Sequence, residues 1–176
     1  MPHQGTELWP PKDADRLHDP LAQEPQLVSF NEIPEWYSDN EFILHGYRPI
    51  SNSAPACFHS WGYLHNETAN IYSHLIPGLV FLAGEWYLLQ YLRVEYPRAT
   101  VADLMVFAFF VLTTTVCYGL SAMYHTLMNH SVRVNSLWLQ VDLIGIVLST
   151  LGNFVSGIYV IFYCEQELKR GYWAMV

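Results

Sequence analysis

Leu120-Ser121-Ala122-Met123-Tyr124-His125-Thr126, read together with Val141-Asp142-Leu143-Ile144-Gly145, decides what kind of chain this is. A serine and a histidine stand four residues apart at the end of one long apolar run, and an aspartate lies just inside the start of the next. Residues four apart share a helix face, so Ser121 and His125 point the same way. An aspartate at mid-bilayer costs roughly 2.5–3.5 kcal/mol on insertion scales, so such a residue faces a bundle interior or a wet cavity. At about 1.5 Å per residue, His125 and Asp142 both fall roughly 6–9 Å inside the apolar layer, on the same side of the membrane. Their coincidence marks a candidate site.

The composition agrees with a membrane setting: 52% hydrophobic, 15% aromatic and only 14% charged residues. The net charge of −8 comes largely from the N-terminal part and argues against nucleic acid as a partner. Cys57, Cys117 and Cys164 lie far apart, which suggests neither a disulfide framework nor a cysteine zinc site.

Residues 1–30 read as a disordered tail, rich in proline and lacking the apolar core of a signal peptide. PxxP-like spacings there could dock a partner domain, but a solvated tail is the simpler reading. Residues 31–70 read as a juxtamembrane aromatic helical segment. A helix start is expected at Pro34-Glu35-Trp36-Tyr37 and a stop at Gly46, and Ser51 or Asn52 is expected to cap a second short helix through Trp61-Gly62-Tyr63. Trp36, Tyr37, Tyr47, Trp61 and Tyr63 suit the headgroup level, or a packed aromatic cap on a bundle.

Residues 71–176 form the transmembrane region, with spans expected at about 71–92, 101–124 and 137–163, each near the ~20 residues that cross a bilayer. The connections are short, so neighbouring spans run antiparallel. The predicted class is an all-α polytopic membrane helical bundle. Hairpin connectivity brings Glu67, Asn70, His74, Ser121, His125 and Asp142 to one membrane face, and no comparable set gathers at the other. Flanking positive charges are Arg93, Arg98, Lys169 and Arg170 on one side against Arg48 and Arg133 on the other; taken alone, they place the N-terminus outside.

Four stretches now carry a resemblance. Asn31-Glu32-Ile33-Pro34-Glu35-Trp36-Tyr37 with Asn40-Glu41-Phe42-Ile43-Leu44-His45-Gly46-Tyr47-Arg48 resembles the pre-membrane signature of the progestin and adiponectin receptor (PAQR), or haemolysin III-like, family. Glu67-Thr68-Ala69-Asn70-Ile71-Tyr72-Ser73-His74-Leu75 is similar to its first-span motif. Ser121-Ala122-Met123-Tyr124-His125-Thr126 and Asp142-Leu143-Ile144-Gly145-Ile146 are similar to its second- and third-span motifs. The likeness covers roughly residues 29–160, and it is nearest to fungal members linked with zinc homeostasis.

The resemblance implies a seven-span protein of the plasma membrane or an endomembrane, N-terminus in the cytosol, holding a zinc ion within the bilayer. Four motifs outweigh two arginines, so this orientation is preferred to the one from charge. By the same resemblance His125 is a zinc ligand, Asp142 holds the zinc-activated water and takes its proton, and Ser121 sits beside the metal as an oxyanion donor. Two further ligands come from an HxxxH pair in the family's last span, which this sequence does not contain. The chain is therefore expected to represent three transmembrane helices of seven, with an incomplete Zn2+ ligand set. The implied activity in the full-length form is hydrolysis of a lipid amide of ceramide type, tied to lipid and zinc homeostasis. The competing class is a seven-span receptor or regulator with structural zinc and a steroid or peptide ligand; a third reading is an inactive truncated fragment. Membrane lipids are the expected partners.

The bland alternatives stay open. A lone membrane histidine is commonly a helix–helix hydrogen-bonding group. Asp142 alone could be a neutral structural acid, and His74 is read as structural or interfacial. Glu85, mid-span, matches no family residue. Gly119, Gly145, Gly152 and Gly157 are expected to permit close helix approach.

Overall fold

The apolar runs fold into three long helices, and the polar breaks between them become the turns. The computed structural model describes residues 26–38 and 40–176. The tail expected over residues 1–30 lies outside the described residues as far as residue 25. Its last residues are ordered: β1 (Val28–Ser29) pairs antiparallel with β2 (His45–Tyr47), Val28 opposite Tyr47. α1 (Ala54–His59) follows, then α2 (Thr68–Glu95), α3 (Val101–Leu127), α4 (Val132–Ile161) and α5 (Gln166–Trp173).

The helical segment expected over 31–70 is mostly not α-helical. Pro34 does precede a helical turn, but the turn covers only Glu35–Tyr37. The Asn40 side chain then accepts the Phe42 N–H at 3.0 Å, a local bond that competes with helix continuation. Gly46 ends no helix; it lies within β2 at φ +91°, a conformation that favours glycine. Ser53, rather than Ser51 or Asn52, caps α1 by accepting the Ala56 N–H, and a single turn at Ser60–Gly62 follows. Tyr37 and Tyr47 are wholly buried and pack edge-to-face at 5.9 Å. With Met128 they form a small core, and Phe30, Trp36 and Tyr124 pack around it. Ser51 and Asn52 donate their N–H groups to the Asn129 and His130 carbonyls, so this cap is fastened to the α3–α4 turn.

α2 at both ends, α3 at its end and α4 at its start run past the apolar stretches that announced them, because a helix ends at its caps, while α4 stops at Ile161, two residues short of the expected 163. α4 starts at Val132 rather than 137, taking in Arg133 and Asn135; buried Asn135 donates to the Met128 carbonyl at 3.1 Å. α3 opens with a capping box, Asp103 accepting the Thr100 N–H at 2.6 Å. The hydroxyl of Tyr159 donates to the other Asp103 oxygen at 2.6 Å, tying the start of α3 to the end of α4. All three long helices are long and apolar enough to cross a membrane. Their outward residues, among them Leu79, Trp86, Leu112, Ile144, Val147 and Phe154, are exposed, as suits a hydrocarbon surround. At the far end Lys169 is buried, its Nζ 4.5 Å from the centre of the Tyr159 ring.

α3 packs against both α2 and α4. Two of the four expected close-approach glycines serve that packing. A Cβ on Gly145 would lie 3.3 Å from the Cys117 Cα, and one on Gly152 would overlap the Thr113 hydroxyl. Gly119 and Gly157 have nothing within 4 Å and permit no close approach; Gly78, which was not expected, meets the Tyr118 Cβ at 3.3 Å. Thr113 cannot swing aside freely, because its hydroxyl donates to the Phe109 and Phe110 carbonyls at 3.0 and 3.1 Å. Gly152→Ala should therefore destabilise the bundle by about 1–3 kcal/mol, the usual cost of overpacking. Gly157→Ala should leave the thermal midpoint in detergent unchanged or slightly raised; equal midpoints for the two variants would remove the α3–α4 contact at Gly152.

Candidate functional site

The last two turns of α3 and the first third of α4 face each other at one end of the bundle. Ser121 is buried and donates its hydroxyl to the Asp142 Oδ2 at 3.4 Å, longer than a strong O–H···O bond. Both line a cavity of about 360 Å³ whose wall includes His74, Thr114, Cys117 and Ser149. His125 is not part of that wall. It lies one turn beyond Ser121, its ring stacked on His74 with centroids 5.6 Å apart and planes 24° apart. The structure thus brings Ser121 and Asp142 together and connects His125 to them through His74, a residue read from sequence as structural or interfacial. The Glu85 side chain makes no hydrogen bond or ion pair among the described residues.

Behind His125 stands a shell of polar groups from the pre-span segment. Glu67, fully buried at the start of α2, lies 2.8 Å from the His125 Nδ1. Its oxygens also accept from Asn66 Nδ2 at 2.6 Å and Asn70 Nδ2 at 2.9 Å. Burial pushes the Glu67 carboxyl up, but the hydrogen bonds from His125 and Asn70, helped by the nearby Arg48 charge, outweigh it, so the carboxyl lies below its ordinary value. Arg48 is buried as well. Its Nη1 donates to the Ser60 hydroxyl and the Thr126 carbonyl, both at 2.9 Å, and its Nη2 donates to the His125 carbonyl at 2.6 Å. These carbonyls belong to the last turn of α3, where intrahelical donors run out and a cation is favoured. Trp61 adds a donor to the Thr126 hydroxyl at 3.0 Å.

Both acids and bases of this shell escaped the sequence reading in part. The sequence groups Glu67 with His125 without giving it a role, and the structure brings the two into contact; the signal is an acid three residues before Asn70 at the mouth of a span. Arg48 was counted as a free flanking charge. It is a buried helix cap, so it does not belong in that count.

His65 gives the shell a pH dependence. The Glu67 N–H donates to its Nδ1 at 3.0 Å, so the neutral ring carries its proton on Nε2, which is buried without a partner. Burial, then the Arg48 charge, holds the imidazole down at about 4 against an ordinary 6.5. The unfolded chain takes up this proton first, so the stability it represents is complete above 6.5 and drains away as pH falls toward 4. Thermal midpoints between about pH 7.5 and 4.5 should fall with acid, and His65→Gln should flatten that slope. An unchanged slope in the variant would assign the acid sensitivity elsewhere.

Of Ser121, His125 and Asp142, the His125 imidazole and the Asp142 carboxylate are of the types that can ligate zinc. Among the described residues no group of three or more His, Cys, Asp or Glu side chains is close enough to share a metal ion. Three helices long and apolar enough to span a membrane, with buried polar groups gathered at one end, define a polytopic membrane protein. Residues 62–176 match the family described as haemolysin-III related. The chain is 39% identical over 152 residues to progestin and adipoQ receptor-like protein 1 of Caenorhabditis elegans, covering 86% of this chain and 34% of that protein. It is 35% identical over 151 residues to the adiponectin receptor protein of Drosophila melanogaster, covering 86% and 33%. With the ADIPOR-like receptor IZH2 of Saccharomyces cerevisiae it shares 39% over 143 residues, covering 81% and 45%, in keeping with the fungal type. The chain belongs to the haemolysin-III related, or progestin and adipoQ receptor, family. It spans about a third to just under half of the length of these relatives.

Proposed function

We propose that this chain supplies one wall of a zinc-dependent lipid-amide hydrolase site within the bilayer, acting on ceramide-type substrates and tied to lipid and zinc homeostasis. The observation that carries the reading is the Ser121–Asp142 pair across α3 and α4, in a cavity of about 360 Å³ one helical turn from His125. His125 would hold the metal through one ring nitrogen, with further ligands from residues other than those described. Zinc, when bound, would supply the Lewis acidity that activates a water at neutral pH. Asp142 would serve as the acceptor of the attacking water's proton. Ser121 can turn its hydroxyl from Asp142 to the substrate's carbonyl oxygen as charge develops there. The N-terminal side, with the cap of residues 26–66, faces the cytosol in this reading. Zinc content and fatty-acid release, measured on the purified full-length protein and on His125→Ala, test it: both should fall together. A second reading, a receptor in which zinc is structural and a steroid or peptide is the ligand, is favoured by the names of the three relatives. It requires that no fatty acid be released by any form of the protein.

A further inference from the structure

We propose that Glu67 is the positioning residue of His125: it accepts the Nδ1–H of the ring, holds that tautomer, and so leaves Nε2 bare for the site. The inference deepens the proposed function and rests on it only for what Nε2 binds.

The donors around Glu67 fix the direction of the bond. Asn66 Nδ2 donates to one oxygen of Glu67 at 2.6 Å and Asn70 Nδ2 donates to the other at 2.9 Å. A carboxylate only accepts, and no donor of its own remains to offer His125. The contact of 2.8 Å between Glu67 Oε2 and His125 Nδ1 is therefore a bond from the ring to the carboxylate. A neutral imidazole that donates from Nδ1 keeps its lone pair on Nε2, the nitrogen then available to ligate or accept.

The ring has little room to choose otherwise. The His125 side chain is 16% exposed and that of Glu67 is 2% exposed. His74 stacks on the ring and Tyr124 lies against it, centroids 5.0 Å apart. The backbone is held by the same pre-span segment, since Arg48 donates to the His125 carbonyl at 2.6 Å. Residues 48 and 67 together grip one histidine by its main chain and its ring.

Two variants separate an acceptor from a filler. In Glu67→Gln the amide oxygen can take the place that receives His125 and Asn70. Its NH2 then meets Asn66, whose Oδ1 has no partner in the native arrangement and can turn to accept it. Glu67→Met fills the volume and accepts nothing. The test is nitrogen-15 NMR of histidine-labelled full-length protein in detergent, with the His125 signals identified by their loss in His125→Gln. Competition for Zn2+ against a chelator is measured on the same samples. The wild type and Glu67→Gln should show the Nδ1–H tautomer. Glu67→Met should lose it and bind Zn2+ about 10–100-fold more weakly.

A wild-type ring carrying its proton on Nε2 overturns the proposal, and that spectrum decides alone should the methionine variant not fold. An unchanged tautomer in Glu67→Met overturns it equally. A changed tautomer in Glu67→Met, with Zn2+ binding indifferent to His125→Ala, supports positioning by Glu67 and overturns only the metal reading.

Discussion

Asp142→Asn should slow fatty-acid release by about 10²–10⁴-fold, the share that a positioned general base supplies, while zinc content stays near that of the wild type. Asparagine keeps the size of the side chain and can still accept the Ser121 hydroxyl, which lies 3.4 Å from Asp142 Oδ2. It cannot accept a proton from water. His125→Ala should behave differently, losing zinc and activity together. Ser121→Ala should retain zinc and lose about 10²-fold in rate if its hydroxyl stabilises the developing oxyanion. The three variants therefore give three patterns from two measurements on one set of purified proteins. An Asp142→Asn protein that still releases fatty acid at the wild-type rate would end the hydrolytic mechanism. A receptor with structural zinc would instead lose folded yield in His125→Ala and release no fatty acid in any form.

Arg48→Met should be the most destabilising single change in the pre-span segment, by on the order of 3–5 kcal/mol. Methionine fills the space of the aliphatic stem but donates nothing. The His125 and Thr126 carbonyls would be left buried without the donors that now lie 2.6 and 2.9 Å away. Each orphaned acceptor costs about 1–3 kcal/mol, and the favourable cation at the helix C-terminus is lost as well. Arg48→Lys should recover only a minor part, because one ammonium cannot reproduce a planar fork that reaches a hydroxyl and two carbonyls. Chemical unfolding in mixed micelles measures the difference. A loss below about 1 kcal/mol for Arg48→Met, the range of ordinary surface substitutions, would rule out the capping role.

The three spans were legible because an apolar run near 20 residues has few other uses. The pairing of Ser121 with Asp142 was legible too, because helix periodicity and short connections leave little freedom in where such residues meet. Helix ends were less so: α4 starts five residues early, its first turn fixed by buried Asn135 donating to the Met128 carbonyl rather than by hydropathy. Gly157 and Gly152 look alike in sequence, and only the presence of Thr113 opposite one of them makes it a contact. The two-strand pairing of Val28–Ser29 with His45–Tyr47 has too few residues to leave a period-2 pattern. Arg48 and Glu67 were hardest to read, since a charged side chain near a span is ordinarily assigned to water. What buries them is a match of donors to acceptors 77 and 58 residues away in sequence, which no local pattern carries.

The distance between Arg48 and its carbonyl partners also has a meaning in time. The Thr126 carbonyl is synthesised 78 residues after Arg48. At about 5–20 residues per second that lag lasts roughly 4–16 s. Throughout it the guanidinium has no helix end to bind and stands as a bare cation beside the first span, subject to the same bias as any flanking arginine. Once α3 arrives, the charge disappears into the protein. One side chain is thus an exposed flanking cation first and, later, a clasp that can close only when α3 has ended at His125 and Thr126.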